Sequence, residues 1–184
     1  MSQPEVTPAT EADRARVLDT IVAAFRADPA FLYFFPNQKL YDEQAPIFAG
    51  HLFDARVRHG TVWIIDGGAS VSMWDPPAAI AWKQAPLPPE TLARLKAYEA
   101  AVHATLPPTP YWYLGVLATH PDHAGRRLGR AAMAPGLAAA SGAGLPAYLE
   151  TTNPVNVEVY RRAGWDVVKE LKVDALPVWV MAQG

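Results

Sequence analysis

The chain has 184 residues, of which 51% are hydrophobic and 18% charged, and its formal net charge at pH 7 is -2. This length fits about one domain, here 1–184, and so small a charge provides no electrostatic footprint for nucleic acid or a membrane surface. The absence of cysteine excludes disulfides, cysteine-ligated zinc and a thiol nucleophile. With no apolar run near the ~18 residues of a membrane span and no apolar signal segment, we expect a cytoplasmic protein.

The first third of the chain is predicted to form a short strand and two helices. In chain order, the patterns predict a strand within 3–9, a helix over 11–27, an aromatic loop over 30–40 and a helix over about 41–59. Thr10 is the expected N-cap of the first helix, with Asp13 as its capping-box partner. Asp28 and Pro29 end that helix, because the residue before a proline avoids helical backbone angles.

A hairpin is the clearest local signal in the sequence. The segments Thr61–Asp66 and Ala69–Asp75 are rich in β-branched and aromatic residues and are separated by Gly67-Gly68. This pattern predicts two antiparallel strands joined by a primed two-residue turn. Pro76-Pro77 then ends the second strand.

The rest of the chain alternates between helices and strands. The patterns predict a helix over about 89–104, a strand over Tyr111–Ala118, a helix over about 126–141, a strand over Ala147–Thr151, a helix over about 154–163 and strands near 165–173 and 177–182. This order indicates a mixed α/β domain without internal repeats or a flexible linker.

A loop rich in glycine and arginine links a buried strand to the helix after it. A helix that opens near Arg126 leaves its first backbone N–H groups unpaired, and Gly125 and Gly129 allow an anion to approach them. Arg126, Arg127 and Arg130 add positive charge. The loop alone fits either a phosphate cradle or an ordinary turn with solvated arginines. It has neither the lysine ending of a P-loop nor the three glycines of a dinucleotide-binding fingerprint.

Two segments carry a resemblance to a known family. The run LATHPDHAGRRLG, followed by PAYLETTNPVNVEVYRRAGW, resembles the acetyl-CoA-binding core of the GNAT superfamily of N-acetyltransferases. Within it, the chain looks most like the branch that contains puromycin N-acetyltransferase. The resemblance implies a twisted, mostly antiparallel sheet of about six or seven strands with a parallel central pair, flanked by about four or five helices. It also implies that 1–110 forms the acceptor side and 111–184 the cofactor core.

The resemblance implies where acetyl-CoA, the expected cosubstrate, binds. Its pantetheine arm is expected along the backbone of Leu117, Ala118 and Thr119. Its phosphates are expected at the loop residues Ala124, Gly125, Arg126, Arg127, Leu128, Gly129 and Arg130. The family's loop is usually Gln/Arg-x-x-Gly-x-Gly/Ala, so Ala124 and Arg127 depart from it. We expect binding to persist because backbone N–H groups hold the phosphates, with Arg127 either pointing away or itself meeting a phosphate.

Three polar residues are candidates for the chemistry. Tyr160 matches the family's general acid, since a phenol with a pKa of about 10 holds its proton at neutral pH; the residues alone favour a packing tyrosine. Glu150 ends an apolar strand, where an unpaired carboxylate is costly, and is the candidate base; the alternative is a pair with an arginine. Asn156, one helical turn before Tyr160, is either a cofactor contact or an ordinary helix-start residue.

The distribution of aromatic residues indicates the kind of acceptor. All six phenylalanines lie in the first two predicted helices and the loop between them. In the family's fold this region and the segment after the hairpin cover the acceptor side, so the expected substrate contacts are Phe31, Phe35, Trp74 and Glu150. Most other aromatics are expected in the core. The set favours a small, partly aromatic amine over a polycationic aminoglycoside.

Three functions stay open at this point. The first is direct acetyl transfer to a small-molecule amine, the second is transfer to a protein N-terminus or lysine, and the third is a non-catalytic acyl-CoA sensor. No metal is expected, because His120 and His123 have no further histidine or cysteine ligand nearby. We expect a monomer or a homodimer.

Overall fold

The computed structural model of the protein describes residues 4–78 and 80–184. Its strands are β1 (Val6–Pro8), β2 (Val62–Ile65), β3 (Ser70–Asp75), β4 (Trp112–Thr119), β5 (Ala147–Thr151), β6 (Asp166–Val173) and β7 (Leu176–Gln183). Its α-helices are α1 (Arg14–Ala24), α2 (Pro29–Phe34), α3 (Gln38–Val57), α4 (Pro89–His103), α5 (Leu128–Gly142) and α6 (Pro154–Arg162). None of these helices is long and apolar enough to cross a membrane.

The strands form one sheet whose topology confirms the predicted fold class. Seven strands follow the order β1-β2-β3-β4-β5-β7-β6, and all neighbours are antiparallel except the central pair β4 and β5. A parallel pair requires a crossover connection, which α5 provides by packing across β2, β3 and β4. The architecture is therefore mixed α/β, with helices on both faces of the sheet.

The start of α1 agrees with the predicted capping. The carboxylate of Asp13 accepts hydrogen bonds from the backbone N–H and the hydroxyl of Thr10, at 2.7 and 2.9 Å. The first turn, Glu11–Asp13, is a 3₁₀ turn, so the regular helix begins at Arg14.

The segment after α1 is helical where a loop was predicted. Asp28 caps α2, because its carboxylate accepts hydrogen bonds from the N–H groups of Ala30 and Phe31 at 2.9 and 3.2 Å. Pro29 occupies the first helical position, where its missing N–H costs nothing. The first helix ends at Ala24, before the predicted stop at residue 27, so the Asp-Pro pair starts α2 rather than ending α1. Burial of Phe31 and Phe34 holds this short helix in place.

The hairpin forms as predicted, but its turn lies one residue earlier than expected. Ile65 pairs with Ser70, and the N–H of Gly68 donates to the Ile65 carbonyl at 3.0 Å. The central residues of this turn are therefore Asp66 and Gly67, both in the left-handed region at φ 49° and 64°. An aspartate tolerates that region better than most residues, which is why Asp-Gly makes the primed turn.

A bulge in β4 opens the middle of the sheet. The register with β3 passes from Met73–Val116 to Trp74–Leu114, which leaves Gly115 without a partner. On the other edge β4 pairs with β5 only as far as Leu114, although both strands continue. A bulge bends its strand and increases the local twist, so β4 turns away from β5 at this residue.

Side chains of the sheet alternate between two helical layers. Val71 and Met73 pack against α1 to α4 in the larger core, whereas Trp74 packs against α5 with Met133 and Trp165. The indole of Trp74 is fully buried beside a glycine of α5, Gly136, where a Cβ would collide with the ring. The tight fit between β3 and α5 therefore depends on a residue without a side chain.

Replacing Gly136 by alanine is expected to destabilise the fold. The added methyl group meets the Trp74 ring, and overpacking of a core costs about 1–3 kcal/mol in the free energy of unfolding. Gly142→Ala is the matched control, because the last turn of the same helix has open space around that position. Urea unfolding followed by circular dichroism measures both variants. Equal midpoints for the two would contradict the close contact with Trp74.

Candidate active site

A cavity of about 470 Å³ lies on the face of the sheet covered by α1 to α4, where β4 and β5 separate. Much of its wall is aromatic, with rings contributed by Phe25, Phe31, Phe34, Phe48 and Trp82. Several charged side chains converge on the same space, among them Asp28, Arg56, Asp75 and Glu150. An apolar cavity with a few convergent polar groups is typical of a small-molecule site.

Glu150 reaches the cavity from β5. Because side chains alternate along a strand, Leu149 is buried on the α5 side while Glu150 faces the cavity. Its Oε1 accepts a long hydrogen bond of 3.5 Å from the Tyr98 hydroxyl, and its buried Oε2 has no partner among the described residues. Burial raises the pKa of Glu150 to about 7, against the effect of hydrogen bonds from its own backbone and from Tyr98. Such a carboxyl group exchanges protons near neutral pH.

Tyr98 comes from the buried stripe of α4, which it shares with Leu95 and Val102. Its ring meets Phe34 edge-on, with 5.2 Å between the ring centroids. Burial, reinforced by the negative charge of Glu150, raises the pKa of Tyr98 well above its ordinary value. The phenol therefore keeps its proton and acts as a donor towards Glu150.

Tyr160 lines the cavity from α6, and Asn156 lines it one turn earlier on the same helix face. The ring of Trp165 packs edge-on against Tyr160 at a centroid distance of 6.3 Å. Burial, and then the negative charge of Glu150, raises the pKa of Tyr160 above its ordinary value, so the phenol is protonated at neutral pH. A candidate proton acceptor on β5 and a candidate proton donor on the following helix, α6, thus line one cavity.

A buried ion pair forms part of the wall. Arg56 of α3 donates two hydrogen bonds of 2.8 Å to Asp75 at the end of β3, from Nε to Oδ1 and from Nη2 to Oδ2. Its Nη1 donates to the Leu52 carbonyl at 3.2 Å, and only 4% of its side chain is exposed. The ring of Trp82 covers the guanidinium, with 4.7 Å between Cζ of Arg56 and the ring centroid. Gly115 leaves room for it, because a Cβ there would collide with Nη2.

The expected cofactor strand has a free edge. Beyond Gly115, β4 pairs with β3 on one side but has no ladder with β5 on the other, within the described residues. Alternate backbone N–H and C=O groups of this segment therefore point into the gap. Leu117 lines the cavity. Ser70 donates to the Ala118 carbonyl at 3.0 Å, and its hydroxyl lies 2.9 Å from that of Thr119.

The loop after β4 adopts left-handed backbone where the family's motif has glycine. Arg127 has φ 59° and Gly125 has φ 79°. Arg127 therefore takes the conformation that a glycine would adopt, at a cost of about 1–2 kcal/mol for an L-residue. The helix α5 begins at the next residue, and none of the described side chains caps its first N–H groups. Consecutive N–H groups in such a turn form an anion-binding concavity, so this departure from the motif preserves the backbone shape.

The side chains of this loop have different surroundings. Arg126 is already paired, since its Nη2 lies 3.3 Å from the carboxylate of Asp66 in the hairpin turn and its Nη1 lies 2.9 Å from His123. This pairing ties the loop to the hairpin. Ala124, Gly125, Arg127 and Arg130 are exposed, Gly129 is half-buried and Leu128 is buried.

Two of the predicted acceptor contacts are wrong. Phe31 and Glu150 line the cavity, and their contact with a substrate stays a prediction, but Phe35 and Trp74 have no exposed surface and are not among the lining residues. The ring of Phe35 is packed edge-on against those of Phe31, Tyr41 and Phe48. Trp74 faces α5 because residues 74 and 75 of a strand point to opposite faces of the sheet. The aromatic count located the region but not the direction of each side chain.

Sequence reasoning overlooked several cavity groups. Gly115 inside a strand is a usual mark of a bulge or a close approach, and this signal was available. Tyr98 lies on an apolar helix stripe and therefore resembles a core residue. Arg56 and Asp75 are 19 residues apart on different elements, so no local spacing reveals their pairing.

The two histidines of the loop have their own neighbours. His120 lies 3.8 Å from the carboxylate of Asp19 and 3.6 Å from that of Asp122. In the part of the chain that the structure describes, no group of three or more potential metal ligands comes together.

Solved structures similar to this chain share its fold over nearly their full length. A protein from Corynebacterium glutamicum described as histone acetyltransferase HPA2 and related acetyltransferase is 24% identical, with a TM-score of 0.73 and coverage of 99% of this chain and 96% of that one. A mosquito arylalkylamine N-acetyltransferase like 5b is 15% identical, with a TM-score of 0.69 and coverage of 98% and 99%. A Drosophila melanogaster polyamine N-acetyltransferase is 16% identical, with a TM-score of 0.68 and coverage of 98% and 99%.

A family model gives the assignment. Residues 41–165 match the model described as the acetyltransferase (GNAT) family. The matched range is well over half of the chain and includes most of α3 and all of β4, α5, β5 and α6. The match covers the free edge of β4, the left-handed loop and both Glu150 and Tyr160. The protein belongs to the GNAT acetyltransferase family, whose members are acyltransferases that use acetyl-CoA.

Proposed function

We propose that the protein transfers an acetyl group directly from acetyl-CoA to the primary amine of a small molecule that carries an apolar or aromatic group. The observation that carries this proposal is Glu150, with a pKa of about 7, in one cavity with Tyr160. Aliphatic amines are mostly protonated at neutral pH, so their acetylation needs a base of this strength beside them. Direct transfer also suits a chain without cysteine, which has no thiol to carry the acetyl group.

The pantetheine arm of acetyl-CoA is proposed to lie along the free edge of β4, at Leu117, Ala118 and Thr119. When bound, acetyl-CoA supplies the acetyl group activated as a thioester. The fit rests on backbone groups that lack a β5 partner and on Asn156, which faces the same cavity from α6. A backbone N–H at this edge is placed to donate to an oxyanion, the role that contributes most in acyl transfer.

The phosphates are proposed to bind at the start of α5. Support comes from the left-handed residues Gly125 and Arg127 and from a helix whose first N–H groups are capped by none of the described side chains. The backbone of 124–129 would hold the phosphates, and the exposed side chains of Arg127 and Arg130 would add charge. Arg126 contributes through its backbone, because Asp66 already pairs with its side chain.

Glu150 and Tyr160 have complementary roles in this proposal. Oε2 of Glu150, which is buried without a partner among the described residues, accepts the proton of the acceptor ammonium. Tyr98 holds the other carboxylate oxygen and so orients the base. Tyr160 keeps its proton on Oη at another part of the wall, available to the leaving sulfur.

The walls of the cavity favour a small acceptor. Four phenylalanines line it, and they suit an arylalkylamine or an aminonucleoside; the latter would extend the resemblance to the puromycin N-acetyltransferase branch. The mosquito and Drosophila proteins named above carry small-molecule amines in their descriptions, and the mosquito protein's arylalkylamine agrees with an aromatic acceptor. Transfer to a protein N-terminus or lysine, and acyl-CoA sensing without turnover, are the alternatives that an amine panel separates.

An amine panel is expected to identify the acceptor class. Mixed with acetyl-CoA, the protein should release free thiol fastest with arylalkylamines or an aminonucleoside, because their rings fit the aromatic wall. Spermidine and a peptide with a free N-terminus should react more slowly, and acetyl-CoA alone gives the baseline. Release of free thiol from acetyl-CoA with the peptide but with none of the small amines would favour the protein acetyltransferase. Tight CoA binding without release from any amine would favour the sensor.

Tyr160→Phe is expected to lower kcat about a hundredfold or more, because general acid catalysis by one group contributes on this scale. The Kd for CoA, measured by calorimetry, should stay within about twofold, since the phenol acts on the reacting sulfur rather than on binding. Tyr148→Phe on β5, whose side chain is not among the lining residues, is the matched control and should retain full turnover. Unchanged kcat in Tyr160→Phe would remove this residue as the acid.

The rate is expected to follow the protonation of Glu150. Because the base must be ionised and its pKa is about 7, kcat/KM should rise with pH up to that value and then level off. Glu150→Gln should lose about a hundredfold or more in kcat/KM and abolish the acid limb. Glu158→Gln, which removes an exposed carboxylate paired with Arg161, is the control and should leave the profile unchanged. An acid limb that survives Glu150→Gln would assign the base elsewhere.

A further inference from the structure

Three charged groups lie in a row across the cavity face of the sheet. Asp75 is on β3 and Glu150 is on β5, and the guanidinium of Arg56 lies between them over Gly115 of β4. The β4–β5 register ends at Leu114 opposite Leu149, so Gly115 and Glu150 are the first residues of the two strands beyond the paired segment. Because Gly115 has no side chain, the guanidinium occupies the space that a β4 side chain would fill.

The position of this guanidinium is fixed from several sides. Asp75 binds it with two hydrogen bonds, the Leu52 carbonyl accepts a third, and Trp82 covers its face. A buried ion pair adds little net stability compared with apolar side chains of the same volume. The fold alone therefore gives little reason for a buried arginine beside the base, and its location within the cavity wall suggests a role in the reaction.

We propose that Arg56 is a positioning residue of the active site: Asp75 locks its guanidinium over Gly115, so that Glu150 faces a fixed positive charge where β4 and β5 separate. The role follows from the proposed function of Glu150 as the base. A fixed cation beside the carboxyl group keeps it ionised near neutral pH despite its burial, and Asp75 limits this effect by neutralising part of the charge.

Other titratable groups around Glu150 do not supply this charge. The others that line the same cavity include Asp28 before α2, His51 of α3, Lys83 before α4, Lys96, Tyr98, Glu99 and His103 of α4 and Tyr160 of α6. Among the cations of the cavity, Arg56 is the one that lowers the pKa of Glu150. The raised pKa values of Tyr98 and Tyr160 keep both phenols neutral, and Asp28 is an acid engaged as the N-cap of α2. Arg56 lowers the pKa of Glu150 and Asp75 raises it, in opposition to one another.

Because Arg56 and Asp75 shift the pKa of Glu150 in opposite directions, measuring that pKa in variants of each residue distinguishes the proposed role from a purely structural one. Carbon-13 NMR of the glutamate carboxyl groups measures the pKa of Glu150 without any substrate, with the resonance identified by its loss in Glu150→Gln. Arg56→Gln is expected to raise that pKa, and Asp75→Asn to lower it, each by about half to one unit. The amide oxygen that Asp75→Asn introduces still accepts from the guanidinium, so Arg56 keeps its place. The acid limb of kcat/KM should move in the same two directions.

Gly115→Ala provides an independent arm, because the added methyl group displaces the guanidinium without removing its charge. It is expected to raise the pKa of Glu150, as Arg56→Gln does.

The chain also contains a matched control, since Arg14 binds Asp54 in the same two-bond geometry, at 2.8 and 2.9 Å, over another glycine, Gly50. That pair is about half exposed and its residues are not among those lining the cavity, so Arg14→Gln, Asp54→Asn and Gly50→Ala should leave the pKa of Glu150 unchanged.

The outcomes separate this inference from the proposed function. A higher pKa of Glu150 in folded Arg56→Gln together with a lower pKa in folded Asp75→Asn supports the inference. If these shifts occur but no amine in the panel reacts, only the proposed function fails. Shifts in the same direction, or none, overturn the inference even if turnover is normal. Circular dichroism and thermal unfolding establish which variants fold. If Arg56→Gln does not fold, Asp75→Asn must lower the pKa and Gly115→Ala must raise it for the inference to stand.

Discussion

The separation of β4 from β5 at Gly115 is the constraint on which the site depends. A regular parallel pair would satisfy every backbone group along both strands and leave no gap. The bulge at Gly115 ends the ladder at Leu114, and this frees the edge of β4 and admits the Arg56 guanidinium. The cavity, the free backbone groups and the buried ion pair therefore have one geometric origin, a residue without a side chain in the middle of the sheet.

Burial sets the chemistry of the groups around that gap. A carboxyl group on an apolar strand loses hydration, so its neutral form is favoured and its pKa rises towards neutrality. The same effect keeps the phenols of Tyr98 and Tyr160 protonated. Burial thus makes Glu150 a proton acceptor and keeps Tyr98 and Tyr160 as proton donors near neutral pH. The aromatic side chains of α2, α3 and α4 produce this environment by excluding water from the α1 to α4 face.

Patterns along the sequence predicted the strands and helices well where local chemistry decides them. The hairpin and the alternation of helices and strands in the second half agree with expectation. Glu150 and Tyr160 line one cavity, and their catalytic roles stay predictions. The short helix α2 was missed because its Asp-Pro start was interpreted only as the end of α1. Phe35 and Trp74 were misplaced because composition does not show which face of an element a ring occupies. Arg127, which stands where the family's loop has glycine, adopts a left-handed backbone conformation that its residue type alone did not predict.

The sequence by itself determined the mixed α/β class through the order of its periodic segments and the absence of a thiol through its residue types, and two motif segments carried the resemblance to the family. Tertiary structure decided what depends on contacts between distant residues. The pairing of Arg56 with Asp75, the approach of Tyr98 to Glu150 and the fit of Trp74 against Gly136 join elements with no local signal between them. The environment of Glu150 belongs to this second group, since the pKa of a carboxyl group is set by its surroundings in space and not by its neighbours in the chain.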